Sequence, residues 1–204
     1  MIQLTHIAEN LIAEMYNRSA PVRKLFINNL DTYDINQADS KAVPELQLSV
    51  CGQYQFDGAH KVDVAILDKK KYVCIPCEAK LGKDRLGKSE FEKRFLKPCH
   101  PSHGGKRLAG SMLAILDGKL PANCQKTPLL TNFMGKTYDL SAKWFLIVRR
   151  NTLKSWDKNG QPSLSSNCII IAFEDLVDLF GGVKEFNALV KELFEFDYYE
   201  NWIN

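Results

Sequence analysis

A short charged connection constrains this chain more than any other feature. Val62, Val64 and Ile66 alternate along one run, and Tyr72 to Leu81 form another that is apolar until Glu78, with Asp68-Lys69-Lys70-Lys71 between them. Two β-runs joined so tightly must turn back on each other as an antiparallel pair. Period-two geometry then sends Asp63 to the face opposite Val62, Val64 and Ile66, and places Glu78 and Lys80 on one face of their strand, about 7 Å apart along it. Upstream, Leu46, Leu48 and Val50 alternate, predicting a further strand that extends towards Phe56 before a turn at Asp57-Gly58-Ala59. The expectation is a three-strand antiparallel meander.

Helices flank it. Leu4, Ala8, Leu11 and Met15 recur at spacings of three and four, widened by Ile7 and Ile12, so residues 3–17 read as a helix. A second helix over Val22 to Leu30 follows Pro21, and the polar stretch Asp31 to Pro44 reads as a loop. After the meander, Gly82 to Lys97 is charged and partly helical in character, interrupted by Pro98, Pro101 and Gly104-Gly105. Lys106 to Leu116 reads as a helix with Leu108, Met112 and Ile115 on one side. Lys143 to Arg149 is a buried strand, Trp156 to Ser166 is turn-rich, and Cys168 to Phe173 is a further β-run. Glu174 to Phe180 and Val183 to Phe196 read as helices parted by Gly181-Gly182. Without repeats or a linker, the 204 residues form one α/β domain: a mixed central sheet flanked by helices, with a core over about residues 3–150 and a C-terminal extension over about 151–204.

No apolar run approaches the ~20 residues of a membrane span, and Met1-Ile-Gln-Leu-Thr-His6 lacks a basic lead into an apolar stretch, so a cytoplasmic protein is expected. The six cysteines are accordingly read mainly as reduced, small core residues. The formal net charge of +3 hides an asymmetry. Lys80 to Arg107 carry nine Lys/Arg against three Asp/Glu, whereas Glu174 to Asn204 carry eight acids against two bases. The basic segment suits a polyanion such as nucleic acid.

Asp63 and Glu78 lie on adjoining strands, and two neighbouring carboxylates repel unless a cation joins them. Mg²⁺ accepts one or two carboxylates with a carbonyl and water, and could activate water against a phosphodiester while Lys80 adds positive charge. An acid followed at a distance by acid-x-Lys, here Asp63 and then Glu78-Ala79-Lys80, within a helix, three strands, helix, strand order, resembles the PD-(D/E)XK nuclease superfamily. The resemblance spans roughly residues 3 to 150; the proline naming the motif is replaced by Val62.

The resemblance implies a restriction-endonuclease-like core and a metal-dependent nuclease using Mg²⁺ or Mn²⁺ on the phosphodiester bonds of double-stranded DNA, in restriction or in repair and recombination. Asp63, Glu78 and Lys80 would be catalytic, Asp63 and Glu78 metal-binding, and an acid on the first helix a further ligand. Glu14 flanks the apolar stripe while Glu9 points away, so Glu14 is favoured, with Glu45 as competitor. A catalytically inactive nucleic-acid-binding or assembly subunit, and an RNA-directed nuclease, are the alternatives. Cutting both strands at one site would call for a homodimer.

Other residues weigh less. Lys83, Arg85 and Lys88 are candidate nucleic-acid contacts, as are Lys106 and Arg107 at the start of the helix that Gly104-Gly105 would open. Cys74-x-x-Cys77 with Cys99, His100 and His103 suggests zinc, but cysteines three apart on a strand face opposite ways, which favours buried thiols. The aromatic group Phe194, Phe196, Tyr198, Tyr199 and Trp202 reads as a tail packed on its own domain.

Overall fold

In the computed structural model, the stripe Ala8, Leu11, Ile12 and Met15 is buried along α1 (Leu4–Arg18). Residues 4–30, 35, 38–56, 60–82, 86–124 and 130–194 are described. A break at Ser19, whose hydroxyl accepts the Val22 amide at 3.4 Å, starts α2 (Ala20–Asn28).

The meander forms as expected. β3 (Lys61–Asp68) and β4 (Val73–Lys80) pair antiparallel with Ile66 opposite Ile75. The turn between them is set by Asp68, whose Oδ1 accepts the amides of Lys70 and Lys71 at 2.9 Å each. β1 (Ser40–Cys51) lies antiparallel on the other side of β3, with Ala42 opposite Ile66. It begins inside the expected loop, because the polar start of this strand finds partners on α1. Asn17 bonds both the N–H and the C=O of Ala42, at 2.9 and 3.0 Å, and Tyr16 bonds Ser40 at 2.7 Å. The expected extension to Phe56 instead folds back after Cys51 as β2 (Tyr54–Phe56).

The charged region contains α3 (Lys88–Phe95). The helix expected from Lys106 does not form: His100 to Ala109 make a hairpin of β5 (His100–Ser102) and β6 (Arg107–Ala109), and only α4 (Met112–Leu116) is helical. Gly110 explains the break. A Cβ there would sit 2.2 Å from the Cys99 sulfur, so the chain passes too closely for a helix bearing side chains, and Ser111 then caps α4 by accepting the Ala114 amide at 3.1 Å.

Beyond it come β7 (Leu130–Phe133), β8 (Lys136–Leu140), β9 (Trp144–Val148), α5 (Arg150–Asn159), β10 (Cys168–Ala172), α6 (Phe173–Phe180) and α7 (Val183–Phe194). β7, β8 and α5 were not expected, and α5 covers part of the stretch read as turn-rich. Of the C-terminal aromatic group, only Phe194 lies among the described residues.

All these strands belong to one mixed sheet. β1 pairs with β3 and β7, β3 with β4, β4 with β8, and β8 with β7, so five strands close into a ring. β9 and β10 extend the sheet in parallel from the C-terminal half of β4, while β2, β6 and β5 extend it from the end of β1. One apolar core lies under α1, α2, α6 and α7, and includes Val64, Ile66, Ile75, Cys77, Phe145 and Ile147. A second fills the ring around Leu48, Leu67, Cys74 and Tyr138. The third, with Phe91, Trp144, Leu146, Val148 and Trp156, lies against α3 and α5 on the opposite face of β9.

The reading of the cysteines mainly as reduced core residues is corrected for one pair. Cys51 and Cys124 are joined in a disulfide, Cα–Cα 5.5 Å, because the end of β1 and the turn after α4 meet inside the second core. Cys74, Cys77, Cys99 and Cys168 are free. No helix among the described residues is long and apolar enough to cross a membrane.

Candidate active site

The ladder between β3 and β4 stops at Val64 and Cys77, and there β4 takes β9 as its partner on the other side, with Cys77 opposite Phe145 and Lys80 opposite Val148. Where the two strands cease to pair, backbone donors lose their partners, and side chains replace them. The Asp63 N–H donates to Glu78 Oε1 at 3.2 Å, and the Ala79 N–H donates to Asp63 Oδ2 at 2.7 Å. Each acid thus ties down the neighbouring strand, and this fixes where its remaining oxygen capacity points.

That capacity converges on Lys80. Its Nζ lies 2.8 Å from Glu78 Oε2, 3.0 Å from Asp63 Oδ2 and 3.1 Å from the Ala79 carbonyl oxygen. The expected trio is therefore brought together on one face. Ala79 packs towards the α1 side, so Glu78 and Lys80 project towards α3, where the Phe95 ring centroid is 5.7 Å from Lys80 Nζ.

Burial sets the charge states. The Glu78 side chain is 2% exposed, against 20% for Asp63 and 18% for Lys80. Burial pushes the Glu78 carboxyl up to about 7, and the Asp63 charge adds to this while Lys80 opposes it. For Lys80, burial works against the charge, but the attraction of Glu78 and Asp63 outweighs it and holds the ammonium above its ordinary range. The site therefore contains a firmly protonated lysine and a carboxyl poised near neutrality.

Three oxygens already gathered on one cationic nitrogen are hard donors: two carboxylates and a carbonyl. Mg²⁺ and Mn²⁺ take such sets and complete their shells with water and substrate oxygens. Asp63, Glu78 and the Ala79 carbonyl are donors of the kind such an ion takes, and all three are bonded to the Lys80 ammonium. Among the described residues no group of three His, Cys, Asp or Glu side chains could hold a metal, so any ion here would rest on two carboxylates and the backbone.

Glu14, the expected third ligand, is ion-paired to Arg18 at 2.8 Å, and Arg18 reaches Glu192 of α7 at 2.7 Å, which links the two helices. Glu9, expected to point away from the apolar stripe, is 8% exposed. α1 is covered by β1, β3, α2 and α6, which buries Glu9 while Glu14 and Arg18 stay partly exposed. Glu45 lies on β1 between the pairs Pro44–Val64 and Leu46–Val62, beside the position of Asp63, with φ 53° and its carboxylate 3.4 Å from Lys61 Nζ.

Lys83 and Arg85 lie outside the described residues. Lys88 opens α3. Lys106 and Arg107 are exposed at the turn of the β5–β6 hairpin, so the helix-terminus argument for them is withdrawn with the helix. Cys74 and Cys77 enter different cores, as their spacing on a strand requires. Sequence reasoning missed the Ala79 carbonyl and the pair Arg94–Phe95 beside Lys80; the first was implicit in acid-x-Lys, and the second needed the end of α3 to be placed. Comparison of the chain with protein-family models, with curated proteins and with solved structures gives no match.

Proposed function

We propose that this chain is a metal-dependent nuclease of the PD-(D/E)XK type with a restriction-endonuclease-like core, hydrolysing phosphodiester bonds of double-stranded DNA. The observation that carries the reading is the convergence of Glu78 Oε2, Asp63 Oδ2 and the Ala79 carbonyl on Lys80 Nζ, at 2.8, 3.0 and 3.1 Å. Asp63, Glu78 and the Ala79 carbonyl would hold Mg²⁺ or Mn²⁺. An ion so held supplies positive charge that polarises a phosphoryl oxygen and acidifies water.

The chain's own contribution follows from the charge states. Lys80 stays protonated, so it orients water and stabilises negative charge developing on phosphorus, and it does not act as a base. The Ala79 and Asp63 amides anchor Asp63 and Glu78, which limits how far their carboxylates can move. Phe95 walls one side of Lys80 and limits water around the ammonium.

The test is cleavage of supercoiled plasmid by purified protein with Mg²⁺, beside Asp63→Asn and Lys80→Ala. Nicking or linearisation should need the metal and fall at least ~100-fold in either variant, the loss typical of removing one electrostatic stabiliser. Activity shared equally by wild type and variants refutes the assignment. Cleavage of RNA alone would redirect it to an RNA substrate.

A further inference from the structure

From Lys93 to Leu116 the chain carries Lys93, Arg94, Lys97, Lys106 and Arg107 without a single aspartate or glutamate. The segment begins on the last turn of α3, next to the trio. The Arg94 guanidinium carbon is 5.1 Å from the Phe95 ring centroid, and Lys80 Nζ is 5.7 Å from the same centroid. Two cations thus bear on one ring, the Lys80 ammonium of the trio and the exposed Arg94 guanidinium.

The mount is rigid. Phe95 packs on Phe91 with centroids 5.2 Å apart, Phe91 is fully buried against Trp156 at 5.1 Å, and the Trp156 indole donates to the Leu86 carbonyl at 2.7 Å. The Phe95 carbonyl also accepts the Ser111 hydroxyl, which ties the end of α3 to the start of α4. An arginine stacked on such a ring is held in place before any ligand arrives, so little side-chain freedom remains to be lost on binding.

Arg18, Arg149 and Arg150 are each paired with carboxylates. Arg94 is exposed and makes no ion pair among the described residues. A guanidinium held on the ring that Lys80 also approaches, with no ion pair among the described residues, suits an anion.

We propose that Arg94 binds a backbone phosphate of the nucleic acid, adjoining the phosphodiester held at Asp63, Glu78 and Lys80, and that the acid-free segment continues the path of the strand. This rests on the nuclease reading. It adds a substrate-binding residue that acts by position and charge and takes no part in bond cleavage.

The experiment measures fluorescence anisotropy of a short labelled DNA duplex, in EDTA, over a series of KCl concentrations. Wild type, Arg94→Ala and Arg94→Lys are compared, followed by cleavage kinetics of the same duplex with Mg²⁺. For Arg94→Ala, the plot of log affinity against log salt should become shallower by about 0.9, the release of counterions at one phosphate. KM should rise several-fold with kcat little changed, and Arg94→Lys should restore most of the slope.

An unchanged slope in Arg94→Ala, with metal-dependent cleavage intact, overturns the role of Arg94 and leaves the nuclease reading standing. A wild type that neither binds the duplex in a salt-dependent way nor cuts it overturns both.

Discussion

Glu78→Gln in metal-free protein tests the electrostatics of the site most directly. The Glu78 carboxyl is raised from 4.5 to about 7, first by burial, then by Asp63, against the pull of Lys80. A native state that raises a carboxyl pKa binds its proton more tightly than the unfolded chain does. Glu78 therefore contributes stability that is fully present below about pH 4.5 and is lost as the pH rises through about 7. The shift corresponds to roughly 3 kcal/mol, or about 6–12 °C in Tm for a chain of this size. Glutamine does not titrate, so this pH dependence should vanish from the variant. Glutamine also keeps only one of the two acceptors used by the Asp63 amide and Lys80, which costs about 1 kcal/mol at every pH and shifts the variant curve without tilting it.

The assay is urea unfolding in EDTA at intervals from about pH 5 to about pH 8, where the Glu78 transition lies. The stability of wild type minus that of Glu78→Gln should fall steadily with rising pH, while Mg²⁺ should raise the Tm of wild type and not of the variant. Parallel pH curves would refute the reasoning, because they would mean that Glu78 is hydrated in the native protein and not sealed behind Lys80.

Two further outcomes follow from contacts away from the trio. Cys51→Ser should destabilise the protein by about 2–4 kcal/mol, as expected for a bridge closing a long loop, and unreduced protein in denaturant should titrate four thiols, matching the free Cys74, Cys77, Cys99 and Cys168. Six thiols without reductant would refute the bridge. Glu14→Ala should cost under about 1 kcal/mol in urea unfolding, since its pair with Arg18 is partly exposed, and should leave the Mg²⁺-induced rise in Tm intact. Loss of that rise would return Glu14 to the metal site.

The parts of the fold legible in the sequence are those whose apolar period is undiluted. α1 shows its stripe, β3 and β4 show alternation and a charged turn, and β9 is apolar throughout. α5 was hidden because only Thr152 and Trp156 among its ten residues are buried, so its pattern reads as polar chain with an isolated tryptophan. β7 and β8 were hidden for a similar reason, as Leu-Thr-Asn-Phe and Lys-Thr-Tyr-Asp-Leu carry little apolar alternation. Their turn was nevertheless marked by Gly135, which with Met134 adopts positive φ, 75° and 51°, as a tight hairpin requires.

The error at Lys106 to Leu116 has the opposite origin. Leu108, Met112 and Ile115 do fall at helical spacing, but Leu108 fills the second core from a strand while the other two belong to α4. Spacing alone could not reveal that Gly110, pressed against Cys99, separates them. The trio was legible because tight strand connections make distant residues neighbours by geometry alone; the burial of Glu9 was not, because a helical wheel records one apolar face and not how many elements surround the helix.

A purely structural role for the trio, as a clasp holding β3 to β4, would also account for its hydrogen bonds. Energetics weighs against it. The Asp63 and Ala79 amides could be satisfied by neutral acceptors, whereas burying Glu78 as an anion works against folding near neutral pH, and buried ion pairs seldom outperform apolar packing of the same volume. A clasp selected for stability would not keep a second carboxylate within reach of the same ammonium. With both acids ionised, two carboxylates around one ammonium leave a net negative charge, and they meet at the point where β3 leaves β4. The divergence of the strands orphans the backbone donors, and the orphaned donors orient the carboxylates, which is the arrangement that the proposed metal site uses.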